Sequence, residues 1–528
     1  MALRLVLPAA LVVGLSLGLT ACLDSDSSNG SGSGGDPDSS ENFTEADEQL
    51  DSGPPSGNSG DYTEPNYQFD PSQTAYSAGN LKASLLTFIS SDPDETPTDV
   101  AVASAARIWV AGEFATNNLG DVEASQAYLG ADTSEPANLL KINPTTQRVE
   151  RALYLGSEAA AVAVNSSDNQ VLVYGDFGLL RLSADGRSKV YHIPASELPP
   201  VQSSPLYSSG RRMALSEDGQ TLALLGNAGG KQGRVQIRSA SDGSLVHSLT
   251  LPASDIGGGT YNERWEDIAL DAANQRVFVT GMAQRCSNYQ SSFVLAYNYA
   301  SGSPAKAWRS FTLWCSGAQE ENLGADSRGQ RLHFSNNSLL FSGKADGGNN
   351  LFTRKAQDHT QSQPNNVQID RWNNGAGFGS GAIGYFANLD PGTGKVRSGQ
   401  FQYTSAGVNQ ARSFEIRALT RSETGEILIG GQAAHAMPQR DELSINTQPL
   451  GERKNQEAAL IGVSPDFKTR SLVAGVTGNS GGPGRVTALA NKGQVHAAVG
   501  ITRGDLVAAG NHLHGTESFT EGSFLLVW

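Results

Sequence analysis

The sequence predicts an all-β chain, a β-propeller of seven four-stranded blades with eight as the alternative, and three observations carry that prediction. Gly fills 60 of 528 positions and charged residues only 17%, a composition that argues against coiled coils, helical bundles and polytopic membrane proteins. A short apolar-Ala-apolar run recurs down the chain, each time followed about eleven residues later by a β-run that ends in Gly. The last copy stops one strand short, and an unassigned β-run stands ahead of the first.

The chain begins with one basic residue, Arg4, and an apolar run from Leu5 to Leu19. Such a run is shorter than the roughly twenty residues of a membrane span and reads as a secretion signal over residues 1–21. The four residues Leu19-Thr20-Ala21-Cys22 resemble the lipobox of bacterial lipoproteins. That resemblance implies acylation, with palmitate, of Cys22 as the mature N-terminus. In that family an Asp directly after the Cys favours inner-membrane retention, so Leu23 here implies an outer-membrane destination. Residues 22–80 are expected to be a disordered tether, since they are rich in Ser, Gly, Asp and Pro and nearly devoid of aliphatic residues. As a flexible coil it would reach about 40 Å. Residues 23–80 hold 12 carboxylates and no Lys or Arg, which leaves residues 81–528 with 37 basic and 41 acidic side chains. The body is therefore nearly neutral. No basic stripe with interleaved aromatics is present, and a nucleic-acid partner is not expected.

Residues 81–528 carry the repeat. Val100-Ala101-Val102 precedes a run ending at Gly112, Val162-Ala163-Val164 one ending at Gly175, Met213-Ala214-Leu215 one ending at Gly226, and Ile268-Ala269-Leu270 one ending at Gly281. Ala418-Leu419 with Gly430 and Thr487-Ala488-Leu489 with Gly500 are further copies, and a degenerate one puts Gly324 at the Ala position and Asn336 at the Gly position. After each anchor comes a third apolar run, such as Leu139 to Ile142 or Phe524 to Trp528, and then a fourth. Four short strands per unit describe a propeller blade. The run Ser84 to Ile89 is expected to pair beside Phe524 to Trp528, completing the final blade and removing two exposed sheet edges. These repeats resemble the generic secreted propeller repeats of bacteria, of SBBP or YVTN type. The resemblance implies a fold and no particular activity.

With Cys22 assigned to lipid, Cys286 and Cys315 remain. In an exported protein the two are expected to form a disulfide. The long insertions, residues 113–137, 282–291, 337–380, 431–457 and 501–522, fall between second and third strands and should decorate one face. They supply the ligand-binding candidates Arg354, Asp358, His359, Arg371, Trp372, His435, His512 and His514. Residues just ahead of the first strands, Glu266, Asp267 and Glu415, should line the mouth of the central channel, with Asp99, Glu158, Arg211 and Arg485 nearby. No His and carboxylate spacing matches a metal signature, and neither metal nor other cofactor is expected.

Gly478-Asn479-Ser480-Gly481-Gly482-Pro483 resembles the nucleophile motif of trypsin-like proteases, but Asn479 replaces the usual Asp. With Ala433-Ala434-His435 only 45 residues before Ser480, no triad follows, and Gly478 to Gly484 reads as a turn. No catalytic residue is assigned. The expected function is a lipid-anchored envelope propeller that binds a protein or glycan, or acts as a scaffold, through its loop-rich face. The alternative is an envelope enzyme, a lyase, hydrolase or quinoprotein, with its site at the channel mouth.

Overall fold

The computed structural model describes residues 75–76, 80–115, 119, 122–200, 212–227, 232–256, 263–285, 289–300, 304–312, 326–346, 351–362, 367–369, 383–407, 410–435, 437, 440, 443–451, 456–507, 513 and 521–528. The chain divides into two units, Met1–Glu41 and Asn42–Trp528, and every described residue belongs to the second. Cys22, Cys286, Cys315, Arg371, Trp372, His512 and His514 lie outside the described residues.

The described residues form a β-propeller. Seven sheets repeat one meander in which each strand pairs with the next. Their first strands are Asp99–Ser104, Ala159–Val164, Arg212–Leu215, Glu263–Asp271, Ser327–Ser335, Phe414–Arg421 and Thr477–Lys492, and the sheets are numbered 1 to 7 in that order. Each first strand packs against the first strand of the next sheet, and that of sheet 7 packs against that of sheet 1, so the sheets stand around a common axis. The apolar core lies between neighbouring sheets. One cluster joins Trp109, Leu139 and Leu153 of sheet 1 to Val171 and Leu180 of sheet 2, and another joins Ile237 and Leu249 of sheet 3 to Val277 and Phe293 of sheet 4.

The ring is closed by its own beginning. Leu85–Ser90 pairs antiparallel with Gly522–Val527, Leu86 opposite Leu526 and Phe88 opposite Phe524. The strands begin ahead of residue 81: Ala75–Tyr76 adds in parallel to Thr469–Gly475, the outer strand of sheet 6, and Asn80–Leu81 pairs in parallel with Ser444–Ile445.

The repeat anchors have a steric cause. In sheets 2, 4, 5, 6 and 7 the ladder between first and second strands slips by one residue beside a Gly. That bulge pushes an inner-strand carbonyl inward. A Cβ on Gly175, Gly281, Gly343, Gly431 or Gly500 would collide with the carbonyl oxygen of Glu158, Arg264, Arg328, Glu415 or Arg485 respectively.

Alignment on these bulges corrects three copies. In sheet 5 the anchor is Gly343 and the inner position holds His333, three residues back from Gly343 across the ladder, rather than Asn336 and Gly324. In sheet 6 the anchor is Gly431, not Gly430, and Thr420 takes the inner position. In sheet 7 that position is Ala490. The expected insertion at 282–291 is instead a lengthened hairpin, Arg276–Arg285 with Tyr289–Asn298, and Gly478 to Gly484 belongs to the bulged strand Thr477–Lys492 rather than to a turn.

Candidate functional site at the channel mouth

Two ends of the axis differ. First strands begin, and second strands finish, at the end from which the connections after Phe114, Ala345, Ala433 and Leu506 depart. The other end carries the tight turns between first and second strands. There the turns meet across the axis: the Asn336 backbone N–H donates to Glu217 at 2.7 Å, and Lys492 Nζ donates to the Asn169 side-chain oxygen at 2.9 Å. These bonds join sheets 5 and 3 and sheets 7 and 2, so the channel is pinched at that end.

At the insertion-bearing end, charged side chains from several sheets converge. Asp99 of sheet 1 accepts the N–H of Val100 and, through its other oxygen, that of Val162 in sheet 2, both at 2.9 Å. Asp267 does the same between sheets 4 and 5, accepting from Ile268 at 3.0 Å and Leu332 at 2.9 Å. Asp267, a sequence candidate for ligand binding, thus has both oxygens engaged as a clip between first strands. Burial pushes the Asp99 carboxyl up to about 6, against the pull of two N–H donors and of Arg212. Burial likewise raises Asp267, with Arg331 and Arg212 opposing.

Arg331 occupies the equivalent place in sheet 5. Its Nε donates to the Arg417 carbonyl at 2.6 Å and one terminal nitrogen to the Gln330 carbonyl at 2.9 Å. Burial, aided by the like charge of Arg212 and Arg417, lowers its pKa to about 10, with Asp267 and Glu266 opposing, and it remains cationic. Glu266 is the bulge residue of sheet 4, half-buried beside this group. Glu415 faces Arg417 at 2.8 Å and Lys344 at 3.9 Å, with Gln330 Nε2 at 3.4 Å. Burial alone would raise its carboxyl, but Arg417, Lys344 and Arg485 hold it down to about 2. The mouth is therefore a layer of interlocked charges contributed by different sheets. It can present guanidinium and carboxylate groups together to a polar ligand, with the fold itself holding them in place.

Of the insertion candidates, Arg354, Asp358, His359 and His435 lie among the described residues. Arg354 and Asp358 belong to the short hairpin Arg354–Lys355 and Asp358–Ser362, and Asp358 accepts from Gln361 Nε2 at 2.5 Å. The hairpin is tied down by Phe352, which stacks on Tyr385 at 4.5 Å, and by the bond from the Phe311 N–H to the Ala356 carbonyl at 2.6 Å. His359 lies on this hairpin, beside sheets 4 and 5, and His435 follows the second strand of sheet 6. Among the described residues no group of three or more His, Cys, Asp or Glu could hold a metal ion.

The insertion of sheet 6 is anchored through a buried ion pair. Arg440 Nε donates to Glu457 at 2.8 Å, and its terminal nitrogens donate to the carbonyls of Gly451 and Thr477, each at 2.7 Å, with the Arg440 and Glu457 side chains buried. No pattern in the residues marks this pair. Nor could it show the two-ended use of Asp99 and Asp267, although both stand immediately ahead of an apolar triplet, a signal that alignment of the copies would have exposed.

No family model and no curated protein matches the chain. Solved structures similar to the chain include "Structure of U3-55K" and "Crystal structure of RRP9 WD40 repeats". Each is 13% identical, with a TM-score of 0.34, and each match covers 70% of this chain, with 95% of the first and 94% of the second. The propeller assignment rests on this chain's own sheets.

Proposed function

We propose that the chain is a seven-bladed, lipid-anchored propeller of the bacterial cell envelope that binds a protein partner, or serves as a scaffold, through the end bearing the insertions. One observation carries the reading: long connections of sheets 1, 5, 6 and 7 leave the ring at the end where Asp267, Arg331, Glu415 and Arg417 converge, while the opposite end is pinched. The closed cycle of first strands supports the count of seven blades. Lipid attachment at Cys22 and an outer-membrane location rest on the resemblance of the leader to a lipobox.

Photo-crosslinkers placed at Arg354 and at His435 in the native host are expected to capture a common partner, with Arg331→Ala lowering its yield. Crosslinkers at Ser167 and Glu423, on the turns of the pinched end, are expected to capture nothing in common with them. Capture of the same partner from the turn end alone would overturn the orientation. Labelled palmitate retained by a Cys22→Ala chain would overturn the anchor.

A further inference from the structure

The outer edges of the sheets are treated in two ways. Three are covered by a fifth strand running parallel to the outermost one: Ser125–Ala127 on sheet 1, Val367–Ile369 on sheet 5 and Ala75–Tyr76 on sheet 6. Among the described residues nothing pairs outside Lys189–Pro194 of sheet 2 or Leu245–Leu251 of sheet 3. An open edge leaves backbone donors and acceptors ready to template another strand.

The side chains at these edges differ in the same sense. Each outer strand carries a bulge where its ladder to the third strand slips. The residue in that slot is Glu150, Arg397 or Ser471 in the covered sheets, and Val190 or Val246 in sheets 2 and 3, two of the four sheets without a fifth strand. Among the described residues the large apolar side chains that stand exposed are Val190, Leu245 and Val246, at 46%, 51% and 51%. All three lie on these two neighbouring edges. Charge points to the character of an occupant. On sheet 1 the covering segment brings Glu123 to 3.5 Å from Arg148, and the open strands of sheets 2 and 3 carry Lys189 and no carboxylate, with exposed Arg187 beside its own Asp185 at 3.5 Å.

Register supplies the geometry. The added strands of sheets 1 and 5 begin opposite Ala152 and Gly399, two residues beyond the bulge slot, and the Ala152 N–H donates outward to the Ala124 carbonyl at 3.0 Å. The equivalent residues are His192 and Ser248, which pair inward with Leu180 and Gln236. We propose that the outer edges of sheets 2 and 3 bind an extended segment of another protein by parallel strand addition, apolar where it passes Val190 and Val246 and acidic beside Lys189. Backbone pairing would supply affinity and the exposed valines the selectivity.

The probe is a fluorescein-labelled peptide with the sequence of residues 121–128, the segment that covers sheet 1, titrated into the full chain at low salt. Saturable binding is expected, with slowed amide exchange around His192 and Ser248. Ser248→Pro should abolish the protection on sheet 3, because it removes the outward N–H while leaving the ladder to Gln236, and Ser248→Ala should retain it. Val190→Lys with Val246→Lys should weaken binding at least tenfold, as should Lys in place of Glu in the peptide. Absence of saturation, protection confined to the channel mouth, or wild-type binding by the double-valine variant would overturn the proposal. So would edges already protected by self-association of the full chain. Should Ser248→Pro fail to fold, the valine pair still decides.

Discussion

Sheets 2 and 3 are bare meanders, whereas sheets 1, 5 and 6 carry long insertions and a fifth strand. This propeller places its variability between the second and third strands of its sheets. The inner three strands of each sheet are constrained by the neighbours that pack against them on both sides. An insertion between second and third strands is constrained only at its ends, and in sheets 1 and 5 part of it returns to shield its own sheet's edge. In those two sheets elaboration and edge protection are one event, whereas sheet 6 is covered by Ala75–Tyr76 from ahead of the ring and sheet 7 gains no fifth strand among the described residues.

The comparison breaks most readily at Arg440. Replacing it by Ala leaves Glu457 buried without its guanidinium, and the expected loss in chemical denaturation is about 3–5 kcal/mol. No substitution on the outer strands of sheets 2 and 3 should approach that. Next come the clips at the inner strands: Asp267→Ala leaves the Ile268 and Leu332 N–H groups without their acceptor and should cost about 2–4 kcal/mol, with Asp99→Ala comparable. Equal losses at the two clips would show that insertion-bearing and bare sheets share one inner architecture, since Asp99 joins sheet 1 to bare sheet 2.

His333 sharpens the comparison through pH. Burial, with Arg421 nearby, depresses its pKa to about 4 from the usual 6.5. The folded state therefore holds fewer protons on this ring than the unfolded state does. Its contribution is present in full above about 6.5 and is lost as pH falls towards 4. Thermal melts across that window should show a loss on the order of 1–3 kcal/mol that His333→Ala flattens, Ala being the inner residue of sheets 1 to 4. The smallest effect belongs to the bare edges: Val190→Thr and Val246→Thr should leave stability within about 0.5 kcal/mol, measured in the same melts.

Where local residues dictate the geometry, the sequence was readable. The anchor Gly is required by a carbonyl at the bulge, and Ala101, Ala163, Ala214 and Ala269 recur where first strands crowd the axis. The closing strand was legible because Leu85 to Ile89 is an apolar run with no other partner. Sheet 5 hides its repeat because the inner position holds His333, which breaks the apolar-small-apolar pattern between Leu332 and Phe334. Adjacent glycines at 430 and 431 hid a one-residue slip that only the ladder resolves. The fifth strands, two or three residues long, have too few positions to show a period. Of the site, the charges ahead of the first strands were visible, but which oxygen meets which N–H depends on the sheet next door. On the insertions, composition singles out polar side chains but fixes neither their spacing nor their neighbours.

The closing pair also dictates an order of events. Ser84 and Val527, joined through backbone and side chain, are 443 residues apart. During synthesis Leu85–Ser90 emerges long before Gly522–Val527, so its apolar strand spends the intervening elongation without its mate. Loss of Gly522–Val527 would leave Leu85–Ser90 without its ladder and bare the second strand of sheet 7, Val495–Leu506, while the first strand of that sheet still bridges sheets 6 and 1.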